Sequence, residues 1–479
     1  MNMTDLEPKT IWKNFALLNA IPRPSKKEER ITAFMKEFGE SLGLETKVDE
    51  TGNVLIKKPA SPGMENRKTV ILQSHLDMVC QKNNDVDFDF DKDGIQTYVD
   101  GDWVKAQGTT LGADNGIGVA AIMSVLESND IAHPPLEALF TIDEETGMTG
   151  AFGLKPGFLE GDILLNLDSE DDDEICIGCA GGMDVTATGN FKTQAISGQG
   201  ISLEIKGLRG GHSGVDIHEG RGNANVILRR FLLLGIEHKI QLTEIDAGGL
   251  RNAIPREALA KFAVSDAEDY LKNAAALKND ILAEFKSIEK ELQINISKTD
   301  IMGKGLSAED SAQFIRALNA AHNGVYRMSP EVPDLVEASN NIARVALKDG
   351  EIHVLCLTRS SVDSTKNEVA KQLSASFEMA DMKVEFSGSY PGWEPDAHSE
   401  ILNVLETVYE RKFGEAPKVL AIHAGLECGI IGAPYPEMEM ISFGPTIKGA
   451  HSPEERVNFK SVQKFWDYLK DILLEIPKK

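Results

Sequence analysis

Val70-Ile71-Leu72-Gln73-Ser74-His75-Leu76-Asp77 is the stretch whose reading decides the fold. Its opening apolar triplet is typical of a short strand buried on both faces, as inside a parallel sheet. Two similar runs come later, Ala138-Leu139-Phe140-Thr141-Ile142 and Ile163-Leu164-Leu165-Asn166-Leu167. Between the first two lies segment 115–126, where Val119, Ile122 and Leu126 share a helical face. Strands alternating with helices indicate an α/β layered domain with a largely parallel sheet. Each of the three strands runs directly into carboxylates or a histidine. Ligands of open α/β sheets collect at the carboxyl ends of the strands, so the pattern already places one site at one edge.

Upstream, Ser25-Lys26-Lys27-Glu28 has the form of a capping box, followed by Ile31, Phe34, Met35, Phe38 and Leu42 at helical spacing. Downstream, the texture changes after Gly181-Gly182. Ile201-Ser202-Leu203-Glu204-Ile205-Lys206 alternates with period two, as does 351–357 ahead of Thr358-Arg359, with helical patterns such as 268–292 between them. Half-exposed antiparallel strands with helices mark an α+β domain. From His398 onward helix and buried strand return, with Val419-Leu420-Ala421-Ile422 and Met440-Ile441-Ser442-Phe443. The expectation is one domain, 1–185 and 394–479, split by an insert at 186–393. The acidic run 168–174, six acids in seven positions, is expected to be mostly a solvated loop.

The chain has 479 residues, and 50 Lys+Arg against 75 Asp+Glu give a net charge of −25. That balance argues against nucleic acid or an anionic membrane as a partner, but leaves an anionic small substrate open to a local positive cluster. With 42% hydrophobic and 26% charged residues the chain has the composition of a globular protein rather than a disordered one. Five scattered cysteines form no disulfide framework, and the CxxC pair Cys176 and Cys179 lacks the second pair or nearby histidine of a zinc knuckle. Neither a signal peptide nor a membrane span is legible, so a cytoplasmic protein is expected.

His75 and Asp77 stand at i and i+2 of a strand and project to one face. A metal-bound histidine usually gives its other ring N–H to a carboxylate, a role open to Asp77, although a structural His–Asp pair fits that spacing equally. Asp114, in Gly112-Ala113-Asp114-Asn115-Gly116, precedes a helix, where an aspartate commonly caps. Its functional reading is a carboxylate bridging two cations, with flanking glycines permitting close backbone approach. Glu144 and Glu145 follow a buried strand, next to Asp143, and three consecutive acids repel unless a cation or solvent relieves them. Adjacent positions face differently, which suits one carboxylate on metal and one taking a proton from water. Asp168 repeats the pattern, and His451 lies in the glycine-rich loop after the strand at 440–443. Together His75, Asp114, Glu145, Asp168 and His451 suit two bridged zinc ions, or a related divalent pair such as Co2+ or Mn2+.

The stretches His75-Leu76-Asp77-Met78, Gly112-Ala113-Asp114-Asn115-Gly116, Asp143-Glu144-Glu145-Thr146-Gly147, Asn166-Leu167-Asp168 and Gly449-Ala450-His451-Ser452 resemble, in order, motifs of the cocatalytic-zinc peptidases. That family includes carboxypeptidase G, aminoacylase and carnosinase, and the resemblance covers essentially the whole chain. Within it, His423-Ala424-Gly425-Leu426-Glu427-Cys428-Gly429 and the chain length look most like the dipeptidases acting on Xaa-His substrates. The resemblance implies a zinc-peptidase catalytic domain interrupted by an α+β ferredoxin-like lid, the insert being long enough for two such units. It implies that His75 and Asp168 bind one metal, Glu145 and His451 the other, and that Asp114 bridges them. Asp77 would orient His75 and Glu144 would be the general base. His212, in Gly211-His212-Ser213-Gly214, resembles the lid histidine that reaches the substrate carbonyl. Asn252 and Arg359 resemble residues holding the substrate's terminal carboxylate, and His423 joins them as substrate-binding.

The implied activity is hydrolysis of unblocked dipeptides, with small peptides as the partners. An N-acyl-amino-acid amidohydrolase would share the metals without needing a free N-terminus. A catalytically silent module on the same scaffold would have lost a ligand or the base, and none is missing. Monomer and homodimer both stay open, and with them whether His212 acts in its own chain or a partner's.

Overall fold

The computed structural model describes residues 2–300 and 303–479. The chain divides into two compact units, one of residues 1–178, 395–421 and 426–479, the other of 179–394 and 422–425. The second unit starts a few residues ahead of the position read from sequence, because the strand Gly181–Asn190 belongs to its sheet. It also takes in His423, which the sequence pattern grouped with the returning domain.

The first unit is built on an eight-stranded sheet. At its centre Leu136–Thr141, Val70–His75, Ile163–Asn166 and Glu439–Ser442 run parallel, and every residue of the first three is buried. His75 pairs with Thr141, Gln73 with Asn166, and Asn166 with Ser442, so these strands end at one edge. The antiparallel strand Val54–Lys58 extends the sheet on one side. The helix Ala113–Glu127, expected to present one apolar face, is buried nearly all along its length between the sheet and the helix Lys9–Asn19. A separate four-stranded sheet pairs the hairpin Ile447–Lys448 and Arg456–Asn458 with Trp103–Ala106, and the turn of that hairpin carries His451.

Two local expectations need correction. Ser25 does not cap the helix Glu29–Ser41; no side chain caps it, and Ser25 Oγ donates instead to Asp77 Oδ2 at 2.7 Å. The acidic run 168–174 is not a freely solvated loop. Asp171 pairs with Lys448 at 2.5 Å, Asp172 with Lys464 at 3.1 Å and Asp173 with Lys418 at 2.7 Å, and all three acids are half-buried.

The second unit holds one nine-stranded antiparallel sheet. Gln199–Lys206, the helix Ala224–Leu234, Gln241–Gly248, Ala258–Val264, the helix Ala267–Glu284 and Gln293–Thr299 form a βαββαβ unit whose strands lie in the order 4-1-3-2. Gly181–Asn190, the helix Ala308–Ala320, Val336–Lys348, Glu351–Ser360, the helix Asp363–Glu378 and Lys383–Tyr390 repeat that order. The two units join where Gln241–Gly248 pairs with Val336–Lys348, so the two modules that the insert's length allows share one sheet.

Leu72 sits fully buried on the central strand, between the two strands that also lead to acids. Leu72→Ala should lower the stability of the first unit by roughly 2–5 kcal/mol, read from its denaturant midpoint. A midpoint unchanged within error would place Leu72 outside the core.

Candidate active site

At the edge where the parallel strands end, Asp114 divides its carboxylate between two histidines. His75 Nε2 lies 3.2 Å from Asp114 Oδ1, and His451 Nε2 lies 3.2 Å from Asp114 Oδ2. His75 Nε2 is also 3.4 Å from Asp168 Oδ1, while His451 Nε2 is 3.0 Å from Glu145 Oε2. Five residues from separate segments thus form two half-sites sharing one carboxylate. His75, Asp114 and Glu145 offer ligand atoms within 4.8 Å of one another. The other oxygen of Glu145, Oε1, is buried without a hydrogen-bond partner among the described residues. Imidazole and carboxylate donors in this grouping fit a pair of zinc-like divalent ions.

Behind His75, Asp77 Oδ1 is 3.3 Å from Nδ1, so the ring is gripped at both nitrogens. Asp77 also accepts from the amides of Glu144 and Glu145 at 3.1 and 3.2 Å. Burial works against its charge, yet His75, Ser25 and the Glu144 amide outweigh that and hold it at about 2. Glu144 is pushed well above the usual carboxyl range, by burial first and then by Asp168, Glu427 and Glu145, with His75 opposing. Burial, with Asp114 and Glu145, lifts Asp168 to about 6 against the pull of His75. Divalent cations at these donors would reverse the sign of such influences and keep the carboxylates ionised.

Polar residues that sequence reasoning passed over complete the floor of the site. Gln73 Nε2 and Thr141 Oγ1 each donate to Glu427 Oε2 at 2.7 Å. Asn166 Nδ2 donates to Gln73 Oε1 at 2.5 Å, and Ser442 Oγ to Asn166 Oδ1 at 2.5 Å. This lattice ties four strand ends together, and burial pushes Glu427 up to about 7. A glutamine and an asparagine inside otherwise apolar strands were the available signal, since buried amides need partners.

The second unit gathers the other residues singled out. His212 Nδ1 accepts from the amides of Gly214 and Val215 at 3.2 and 3.0 Å, so the ring proton sits on Nε2. Burial, then Arg359, lowers its pKa and keeps the ring neutral, a ready N–H donor. Asn252 is drawn beside it, its carbonyl accepting from Ser213 N at 2.8 Å, and Asn341 Nδ2 holds the same loop through the Arg251 and Ala253 carbonyls. Arg359 is 5% exposed; Nη1 donates to the Tyr390 hydroxyl at 3.0 Å and Nε has no partner among the described residues. Gly214 packs on Arg359 and on the His423 carbonyl so closely that a Cβ would collide. His423 Nε2 is 2.7 Å from Ser339 Oγ, while its buried Nδ1 meets no hydrogen-bond partner among the described residues. A guanidinium and an imidazole with unused polar atoms make an electropositive, anion-ready cluster.

Residues 71–475 match the model of Peptidase family M20/M25/M40, and the chain belongs to that family. It is 46% identical over 482 residues to the cytosol non-specific dipeptidase of Escherichia coli (strain K12), covering 100% of this chain and 99% of that one. The crystal structure of aminoacylhistidine dipeptidase from Vibrio alginolyticus superposes with a TM-score of 0.95 at 48% identity, covering 100% of this chain and 99% of that one. An aminopeptidase PepT from Bacillus cereus shares the fold at a TM-score of 0.58 and 15% identity, with 98% and 99% of the two chains covered. No helix of the described residues is long and apolar enough to cross a membrane.

Burial first, then Arg359, His212 and His218, depress the His423 imidazole to about 3. The unfolded chain therefore takes up this proton first on acidification, near the ordinary value of about 6.5. The corresponding stability is complete above that pH and is lost as pH falls toward the folded value. Histidine NMR should show an imidazole that stays neutral at pH 5, and that signal should be absent from His423→Gln. A His423 signal titrating near neutrality would contradict the burial argument.

Proposed function

We propose that this protein is a metallo-dipeptidase of the cytoplasm that hydrolyses unblocked dipeptides, Xaa-His among them, with two zinc ions held by His75, Asp168, Asp114, Glu145 and His451. The observation that carries this reading is the division of Asp114 between His75 and His451, each with its own second carboxylate. The full-length similarity to two proteins named as dipeptidases supports the choice of substrate class. Bound at these donors, a divalent pair supplies Lewis acidity, polarising a carbonyl and acidifying water.

The chain's own residues do the rest. Asp77 fixes the tautomer and orientation of His75. Glu144, adjacent to a ligand but outside both half-sites, takes a proton from water at its carboxylate and returns it to the leaving amine. His212 Nε2–H donates to the oxygen on which negative charge develops. Arg359, with Asn252 and His423, receives the substrate's terminal carboxylate, for which a guanidinium offers a two-pronged fit. The Arg359 and His423 atoms without partners are the groups such a carboxylate would satisfy.

Glu144→Gln should keep the metal stoichiometry of the wild type and lower kcat by about 10²–10⁴-fold, the usual worth of a general base. Parallel loss of metal would make Glu144 a ligand instead. A second test compares kcat/KM for a dipeptide, its amide and its N-acetyl form. The wild type should prefer the free dipeptide. Arg359→Ala should erase most of the acid-over-amide preference, a loss on the order of 2–5 kcal/mol. An unchanged ratio would remove Arg359 from carboxylate recognition, and efficient cleavage of the N-acetyl form would favour an amidohydrolase.

A further inference from the structure

Glu455, four residues past His451, is 2% exposed and is held almost entirely by backbone. The amides of Leu111 and Gly112 donate to its Oε2 at 2.7 and 2.9 Å, and those of Ala113 and Asp114 to its Oε1 at 2.7 and 3.2 Å. These amides lie in the turn that opens the helix Ala113–Glu127, ahead of a kink at Asp114 and Asn115 where the backbone is not helical, so their N–H groups need partners from outside the helix. An aspartate at such a place ordinarily turns its carboxylate back to cap the helix. Here a carboxylate remote in sequence fastens the turn that carries Asp114, and both oxygens of Asp114 face the two histidines.

The opposite side of the same turn is held by Arg23, also 2% exposed. Its Nη2 donates to the Gly112 carbonyl at 2.6 Å, and its Nη1 to the Leu76 and Asp77 carbonyls at 3.1 and 3.0 Å. Gly112 is therefore fixed through its N–H by Glu455 and through its C=O by Arg23. It adopts φ +68°, and a Cβ there would press on Arg23 Nη2 at 2.5 Å and Met78 Sδ at 2.8 Å. Arg23 thus ties the His75–Asp77 strand end to the Asp114 turn, and Glu455 ties that turn to the His451 loop.

We propose that Glu455 is a positioning residue for the metal pair: by fastening the four amides of the turn that carries Asp114 it holds both Asp114 oxygens toward the two histidines, and it draws His451 into register with them. The inference rests on the metal-pair reading proposed above. A carboxylate is needed because four donors converge on two oxygens. A glutamine keeps one acceptor and turns its NH2 toward two amide N–H groups.

The test uses the full-length protein stripped of metal with chelator and titrated with Co2+, followed by calorimetry and visible absorption. Circular dichroism of the metal-free forms checks the fold. The wild type should bind two Co2+. Glu455→Gln should weaken binding by about 10–100-fold, the usual effect of losing a group that supports metal ligands, and change the Co2+ spectrum. Glu455→Asp, which keeps the charge but shortens the reach, should fall between the two. A folded Glu455→Gln with wild-type affinity and spectrum overturns the proposal. If that variant does not fold, the same result for Glu455→Asp does so. A wild type that takes up no Co2+ overturns the metal reading itself, and the inference with it.

Discussion

The parallel register of Leu136–Thr141, Val70–His75, Ile163–Asn166 and Glu439–Ser442 constrains everything built on it. Strands that start and stop together deliver the residues beyond their ends to one edge, whatever their distance in sequence. The chain uses that edge for Asp143-Glu144-Glu145, Leu76-Asp77, Asp168 and the approach to His451. The strands are apolar except at their ends, where Gln73, Thr141, Asn166 and Ser442 lock to one another and to Glu427. A rigid polar floor under a charged site limits the freedom of each ligand, and that limits the reorganisation left for the reaction.

Charge is the second constraint. Asp77, Asp114, Glu144, Glu145, Asp168, Glu427 and Glu455 crowd one small volume, mostly out of contact with water. Carboxylates gathered in low dielectric push one another toward protonation. Burial, then Asp114, lifts Glu455 to about 7 although four amides donate to it. A fold seldom keeps such a concentration without cations to balance it. The second unit shows the opposite sign, with Arg359 close enough to His212 and His423 to disfavour their protonation. One unit thus gathers acidic groups at its sheet edge, while the other gathers a guanidinium and two imidazoles.

Much of this was legible in the sequence, for identifiable reasons. Buried parallel strands write themselves as short apolar runs, and a ligand at a strand end is simply the next polar residue. His75, Glu145 and Asp168 were visible on that logic, Asp114 and His451 from their glycine-rich surroundings, and the structure brings the five together. The features that stayed hidden depend on contacts between distant segments. Ser25 fits a capping box by spacing, but its hydroxyl is drawn to Asp77. The acids at 171–173 resemble a solvated run because the lysines that pair with them, Lys448, Lys464 and Lys418, lie far along the chain. Arg23 and Glu455 carry no local signal, since their partners are backbone atoms that any residue could supply. The double ferredoxin-like order in the second unit was foreshadowed only by length, because one βαββαβ unit is inserted inside the other and interrupts its period.

If Asp114 lies between two cations, zinc must occupy two places at this edge of the sheet. Crystals of the zinc-loaded protein, measured on either side of the zinc absorption edge, would locate the ions. Two anomalous peaks are expected, one beside His75 and Asp168, the other beside Glu145 and His451, with Asp114 touching both. A single peak at this edge of the sheet would contradict it. So would zinc at the neighbouring buried trio Glu28, Asp77 and Asp143 instead.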